Sequence, residues 1–408
     1  MNIRTRSIAA AVAASLAMTC LSSAAAAEVD DLRAEVEALQ KRLAQLESRT
    51  PAAPPAVPGW VSKMTWKGDI RVRNDALDLE YAPNRNRIRI RARTGFEARV
   101  NDTVRTEFAL STTEGGDPRA SNQTLTGENS RKPILLDLAW VEWSPHADWK
   151  ITAGKMRFPL IRPGQSLFID ADVNPEGLAA TWTHGEFFAG ALYNVLEERS
   201  ATVESTEVAS QIAWRPKLGK ARLSVGASYY AFNHVQGRSP FHNGAANGNS
   251  TTTAPGACSD TSPCLVNDYD IVQLFAEWSL PVGGRPLAMF ADYAHNTAAG
   301  NQLDTALGAG ISWGKASDPR TWEVGVAWQE VEKDALYAQH FDSDNANGLT
   351  DSRGSVFRAA FAPARNWVIN ATYFLSDTAV DVPVTITGVG AVQGRAAHRL
   401  QVDLNFKY

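Results

Sequence analysis

The amino-acid sequence predicts an all-β, antiparallel transmembrane barrel of about 16 strands, preceded by a short N-terminal coiled-coil helix. Three observations lead to this prediction. Segments of alternating polarity fill the chain from residue 60 to residue 408, turns of few residues alternate with long loops, and tryptophans cluster beside the short turns. This arrangement is typical of barrels that cross an outer membrane.

The segment 84–100 is the clearest strand. Its arginines share one parity, whereas isoleucines, alanines and Phe96 occupy the other, and successive side chains of a strand point to opposite faces. An arginine facing lipid near the midplane would cost about 2 to 4 kcal/mol, so we expect the row to face a water-filled interior. With two arginines of the preceding strand, the predicted pore-lining set is Arg71, Arg73, Arg85, Arg87, Arg89, Arg91 and Arg93.

The predicted last strand alternates in the same way. Leu400, Val402 and Leu404 share one face, and polar residues occupy the other. A soluble sandwich would show the same alternation with its apolar face inward, but the loop lengths and the tryptophan positions favour a membrane barrel. The segment 157–203 also permits parsings with 14 or 18 strands.

The N-terminus, residues 1–27, has the pattern of a secretory signal peptide: two arginines, an apolar run and then small residues. The chain has 40 Lys and Arg against 44 Asp and Glu, and removing those two arginines leaves 38 against 44, a net charge of −6. A mildly acidic exported chain does not favour nucleic-acid binding.

Residues 28–50 show a heptad pattern with apolar residues at alternating spacings of three and four. This pattern predicts a short parallel coiled coil that supports oligomerisation. The alternative is an amphipathic helix packed on its own domain. The expected contact residues are Val29, Leu32, Val36, Leu39, Leu43 and Leu46, and a proline-rich linker follows over residues 51–59.

After signal cleavage the chain keeps Cys258 and Cys264, which lie six residues apart in a Ser/Thr/Pro/Gly-rich segment. In an oxidising compartment we expect them to form a disulfide that closes a loop tip. A metal site would need more ligands than this segment offers.

The barrel segment resembles the putative porin family of Gram-negative outer membranes, a group similar to trimeric porins. The resemblance rests on Arg-Asn-Arg-Ile-Arg-Ile-Arg-Ala-Arg-Thr-Gly at 85–95, Val-Asn-Asp at 100–102, Ser-Asn-Gln-Thr-Leu at 121–125, Ala-Gly-Lys-Met at 153–156 and the segment 170–180. The chain departs from the family at 157–159, Arg-Phe-Pro, where an Asn is expected. A terminal strand with Phe406 and a final Tyr408 also looks like the assembly signal of such barrels.

The resemblance implies an outer-membrane channel, residues 60–408, for passive diffusion of small hydrophilic solutes. It also implies a homotrimer in the lipid bilayer, with the N-terminal helix in the periplasm. In general porins the third outer loop folds into the lumen, and here that loop, 157–177, carries Asp170, Asp172 and Glu176. Facing the arginine row, these acids would form a constriction. The alternative is that they only neutralise the row and pin the loop.

Two other functions are compatible with the sequence. The arginine row suggests an anion- or phosphate-selective porin, although the loop acids oppose it. The N-terminal helix could instead bind peptidoglycan, so that the barrel is mainly an anchor. No catalytic motif is recognised and no cofactor or metal is expected. The oxygen-rich segment 342–351 does not match the spacing of an EF-hand, so we expect a solvated outer loop there.

Overall fold

A computed structural model of the chain describes residues 32–45, 59, 61–300 and 302–408. The described residues divide into two units, the first ending at residue 62 and the second spanning residues 63–408. In the first unit, residues 32–45 form an α-helix. The predicted signal peptide, most of the linker, and Val29 and Leu46 of the heptads lie outside the described residues.

The helix keeps the apolar residues of the predicted heptads on its surface. Leu32, Val36, Leu39 and Leu43 are each more than half exposed. Among the described residues, no helix combines the length and the apolar character needed to cross a membrane.

The second unit is a closed antiparallel barrel of 16 strands within the described residues, as predicted. Its first eight strands are β1 (Met64–Leu79), β2 (Arg85–Arg99), β3 (Val104–Thr112), β4 (Ile134–Trp143), β5 (Trp149–Lys155), β6 (Glu176–His184), β7 (Phe187–Glu197) and β8 (Ser205–Trp214). The other eight are β9 (Ala221–Asn233), β10 (Tyr269–Val282), β11 (Arg285–Asn296), β12 (Thr305–Gly314), β13 (Thr321–Val331), β14 (Ser352–Ala364), β15 (Trp367–Thr378) and β16 (Arg395–Lys407).

Shorter elements lie just before β1 and in the connections between strands. They are the 3-10 turns Val61–Lys63 and Asn345–Gly348, and the strand pieces Gln123–Thr124, Lys217–Leu218, Thr251–Thr252, Cys264–Leu265, Val384–Ile386 and Gly390–Val392. Within the connection between β9 and β10, a disulfide joins Cys258 to Cys264, with their Cα atoms 5.5 Å apart.

Neighbouring strands pair in sequence order, and β1 pairs with β16 to close the barrel, Asp69 lying opposite Lys407. The main chain of the final residue takes part in this closure, because Gly68 N donates to Tyr408 O at 3.2 Å and Tyr408 N donates to Gly68 O at 3.1 Å. Closure leaves no unpaired edge, which a β structure surrounded by lipid requires.

The two faces of the barrel have reversed polarity relative to a soluble sandwich. On β16 the side chains of Leu400, Val402 and Leu404 are exposed, whereas Arg399 and Asp403 are buried. Exposed tryptophans lie near the short turns, namely Trp143, Trp149, Trp214, Trp278 and Trp313. An apolar outer surface with aromatic residues near its edge matches a lipid-facing wall.

Candidate pore and its charged wall

The arginines of β2 point to the inner face, together with those of β1 and β16. The register places Arg91 opposite Arg71 and Arg89 opposite Arg73. Of the predicted set, Arg73 and Arg89 are buried and Arg85, at the start of β2, is exposed. We call the inward-facing arginines of β1, β2 and β16 the arginine wall. Because like charges directly opposite one another are destabilising, this wall needs carboxylates between its guanidinium groups.

Strand acids on the same face supply most of these carboxylates. Asp69 accepts from Arg91 Nε at 2.9 Å and from Arg93 Nε at 2.8 Å. On the adjacent strand, Asp403 binds Arg73 through two hydrogen bonds of 2.7 and 2.9 Å. A bidentate pair fixes the orientation of the guanidinium plane and also neutralises its charge.

Asp75 is the shared partner of the remaining arginines of the wall, Arg87, Arg89 and Arg399. It is fully buried, binds Arg399 through hydrogen bonds of 2.7 and 2.8 Å, and accepts from Arg87 Nη2 at 2.5 Å. Arg89 Nη1 lies 3.7 Å from the same carboxylate. One acid therefore serves three arginines from two strands.

The third loop, residues 156–175, contacts the opposite side of the barrel interior. Gly164 N donates to Glu277 of β10 at 2.7 Å, and Ser166 Oγ donates to Asp292 of β11 at 2.6 Å. Gln165 Nε2 donates to Glu323 of β13 at 3.1 Å. These hydrogen bonds join the loop to acids of three strands, β10, β11 and β13.

The three predicted loop acids occupy different environments. Asp172 lies 3.6 Å from Arg93 and accepts from Ser121 Oγ at 2.9 Å, and although burial would raise its pKa, Arg91 and neighbouring arginines hold the pKa of this carboxyl below its ordinary value. Asp170 accepts from the amides of Asp172 and Ser343, and burial beside Asp342 raises its pKa well above the usual range. Glu176 is the first residue of β6 and pairs with Lys155 at 2.7 Å. Of the three, Asp172 is the acid that pairs with the arginine row.

The seventh loop, residues 332–351, also folds into the barrel, so the expectation of a solvated outer loop at 342–351 was wrong. Its residues Leu336, Tyr337 and Phe341 are buried. They join Phe168 of the third loop and Phe232 of β9 in one apolar cluster. The hydrophobic effect therefore draws this segment inward. Among the described residues, no group of three or more metal-ligating side chains is arranged to hold a metal ion.

The seventh loop adds a further acid to the charged wall. Asp344 Oδ2 lies 2.8 Å from Arg73 Nη1, and its Oδ1 lies 3.1 Å from Arg399 Nη1. Although burial would raise its pKa, Arg399 and Arg73 lower the pKa of this carboxyl far below its ordinary value. Sequence reasoning missed Asp344, Asp75, Asp69, Asp403 and Arg399 as members of the wall.

A signal for the strand members was present in the alternation. Asp69 and Asp75 have the same parity as Arg71 on β1, and Asp403 has that of Arg399 on β16. No periodicity marks Asp344, because it lies in a loop whose path depends on tertiary packing. The completed wall contains seven arginines, each within 4.0 Å of a carboxylate oxygen: Arg71, Arg73, Arg87, Arg89, Arg91, Arg93 and Arg399.

Two cavities contain open space, one among the long loops and one among the short turns. A cavity of 420 Å³ lies toward the long loops and is lined by Asp172, Lys155 and Glu176 among others. A second cavity, of 340 Å³, lies toward the short turns and is lined by Arg215, Lys217 and Glu277 among others. Both cavities have charged linings, which suits water and ions.

Comparisons with known proteins agree with this architecture. The model of a family described as "Putative porin" matches residues 78–259. No curated protein matches the chain. Among solved structures, OprB of Pseudomonas putida is similar with a TM-score of 0.56 and 15% identity, covering 85% of this chain and 95% of that one. At this identity the similarity shows the fold alone.

Two further solved structures cover 85% of this chain. OmpF of Salmonella typhi has a TM-score of 0.49 and 10% identity, and the matched region is 97% of the OmpF chain. OmpT of Vibrio cholerae, an outer membrane protein solved in a trimer form, has a TM-score of 0.48 and 13% identity, and covers 99% of its own chain. The family match over residues 78–259 confirms the resemblance to putative porins, and the closed barrel of 16 strands has the fold of outer-membrane barrels.

Proposed function

We propose that the protein is an outer-membrane porin through which small hydrophilic solutes and ions diffuse passively. The observation that carries this proposal is the polarity of the barrel. Its outer face is apolar, whereas its inner face carries paired charges, and cavities with charged linings lie among the long loops and among the short turns. Such an interior can hold water along a path across the bilayer.

The narrowest part of this path would lie between the arginine wall and the third loop. Asp172 faces Arg93 there at 3.6 Å, and Asp170 lies behind it against the seventh loop. Paired charges of both signs at a waist favour polar solutes and give little preference for either ion. We therefore expect modest selectivity.

An anion- or phosphate-selective porin is the second candidate, and the number of arginines in the wall favours it. A phosphate group would have to compete with carboxylates already bound to these arginines, such as Asp75 and Asp403. Since bidentate arginine–carboxylate pairs are strong, we rank this function below general diffusion.

The proposed assembly is a homotrimer with its N-terminal helices in the periplasm. The exposed apolar residues of helix 32–45, such as Val36 and Leu39, support association through a coiled coil. Whether this helix also binds peptidoglycan is tested by deleting residues 28–58. Unchanged conductance with loss of envelope integrity would favour the tether function.

Single-channel recording in planar bilayers under a salt gradient tests the main proposal. Conductance in triplet steps, with a reversal potential near zero and no block by phosphate, is the expected result. Strong anion selectivity with phosphate block would favour the second candidate. The absence of conductance from correctly folded protein would refute both channel functions.

A further inference from the structure

The seventh loop brings a carboxylate into the arginine wall that the strands do not provide. Asp344 bridges Arg73 of β1 and Arg399 of β16, at 2.8 and 3.1 Å. We propose that Asp344 is a selectivity-determining residue of the channel, whose charge offsets the cationic wall at the place where the seventh loop docks. This inference rests on the proposed channel function.

Both arginines have other partners. Arg73 forms a bidentate pair with Asp403, and Arg399 forms one with Asp75. Because these pairs hold the guanidinium groups in place without the loop, Asp344 is not required to orient them. Its main contribution is one extra negative charge, held between two arginines.

The charge balance of the wall depends on this residue. The seven arginines lie close to six carboxylates, those of Asp69, Asp75, Glu114, Asp172, Asp344 and Asp403. The wall therefore carries an excess of one positive charge, and neutralising Asp344 would raise the excess to two. In a narrow pore with walls of low dielectric constant, one charge changes the ratio of anions to cations.

The loop has enough other contacts to stay docked when Asp344 loses its charge. Ser343 N donates to Asp170 at 2.9 Å, and Asp170 N donates to the carbonyl oxygen of His340 at 2.7 Å. Arg119 Nη1 donates to the carbonyl oxygens of Ala338 and Gly348 at 3.2 and 3.1 Å. The effect of the charge can therefore be separated from the effect of losing the loop.

The experiment is the reversal potential of Asp344→Asn in a potassium chloride gradient near 0.1 M. For an ion that passes within about 7 Å of the lost charge, Coulomb's law with screening at this ionic strength predicts about a threefold rise in the chloride-to-potassium permeability ratio. Asp344→Glu, which keeps the charge, should give the wild-type reversal potential. If the Asn variant does not fold, Asp344→Ser makes the same test with a smaller side chain.

A matched control separates position from net charge. Asn347 is exposed on the same loop and has φ 57°, a conformation that Asn and Asp both tolerate. The double variant Asp344→Asn/Asn347→Asp keeps the loop's net charge, and we expect it to retain most of the shift. A wild-type reversal potential in a conducting Asp344→Asn channel, or full restoration in the double variant, would overturn the inference. Failure of the wild-type protein to conduct would instead refute the proposed function.

Discussion

Asp75→Asn removes the charge at the centre of the arginine wall with little change of shape. The carboxylate is fully buried and accepts three hydrogen bonds, two from Arg399 and one from Arg87. Removing one partner of a buried ion pair costs about 3 to 5 kcal/mol when the remaining charge loses its partner, and here Arg87 loses the carboxylate that it pairs with while Arg399 keeps only the carboxylate of Asp344. We expect the free energy of unfolding of the barrel to fall by that amount.

The assay is equilibrium unfolding in urea of barrels folded in lipid vesicles, followed by the fluorescence of the 12 tryptophans. Asp78→Asn is the matched control, since Asp78 lies on the same strand but is exposed. It should change the free energy of unfolding by about 0.5 kcal/mol or less. Replacing both partners, in Asp75→Asn/Arg399→Gln, should recover part of the loss. A loss below about 1 kcal/mol for Asp75→Asn would refute the reasoning, because such pairs contribute that little only when water screens them.

Three further predictions concern the outer face, the loop tip and the inward loops. Val402 is exposed near the middle of β16, so Val402→Arg should lower the free energy of unfolding in lipid by about 2 to 4 kcal/mol. Val389→Arg, in the loop 379–394, should have little effect. Equal effects of the two variants in vesicle refolding would contradict a lipid-facing position of Val402. Replacing both Cys258 and Cys264 by Ser removes the disulfide that closes a short loop tip. Proteolysis within 234–268 should become faster, while the single-channel conductance should stay the same. A changed conductance would place this segment in the ion path. Burial lowers the pKa of His340 to about 4, with a smaller contribution from Arg119. A carboxylate oxygen of Glu207 lies 3.8 Å from Nδ1 of His340, and the rings of Phe232 and Tyr337 pack against the imidazole. Since protonation then favours an exposed imidazole, stability is lost as pH falls from the ordinary histidine range toward 4. The protection factors of the amides in 333–349 against hydrogen exchange, corrected for the intrinsic rate at each pH, should therefore fall as the pH is lowered from 7 to 5. The same fall in His340→Phe would show that another group titrates.

The strands were predictable because the two sides of a membrane barrel wall face different media. The alternation of arginine with Ile88 and Ile90 marked β2, and Leu400 and Val402 marked the lipid face of β16. Strand β2, Arg85–Arg99, lies within the segment 84–100 that the alternation marks, since short polar turns interrupt the alternation at defined positions. A pattern with a period of two residues needs no tertiary information to be recognised.

The partners of the arginines were harder to assign. Parity places Asp75 and Arg399 on inner faces, but their pairing depends on the register between β1 and β16, which are more than 300 residues apart. Closure of the barrel fixes that register, and it cannot be read from either strand alone. The resemblance implied that the third loop folds into the lumen. It placed Asp170, Asp172 and Glu176 together at one constriction, whereas in the structure the three acids have three different sets of partners.

The sequence by itself determined the class of the protein. Alternating polarity, turn spacing and tryptophan positions specify an outer-membrane barrel of about 16 strands and leave 14 or 18 open, because lipid and water each select one parity of every strand but do not fix how the segment 157–203 is divided. Only the tertiary structure decided how the interior is filled. The seventh loop enters because Leu336, Tyr337 and Phe341 find apolar surface inside the barrel, and this packing places Asp344 between two arginines. Contacts of this kind join segments far apart in the chain, and no local pattern of residues encodes them.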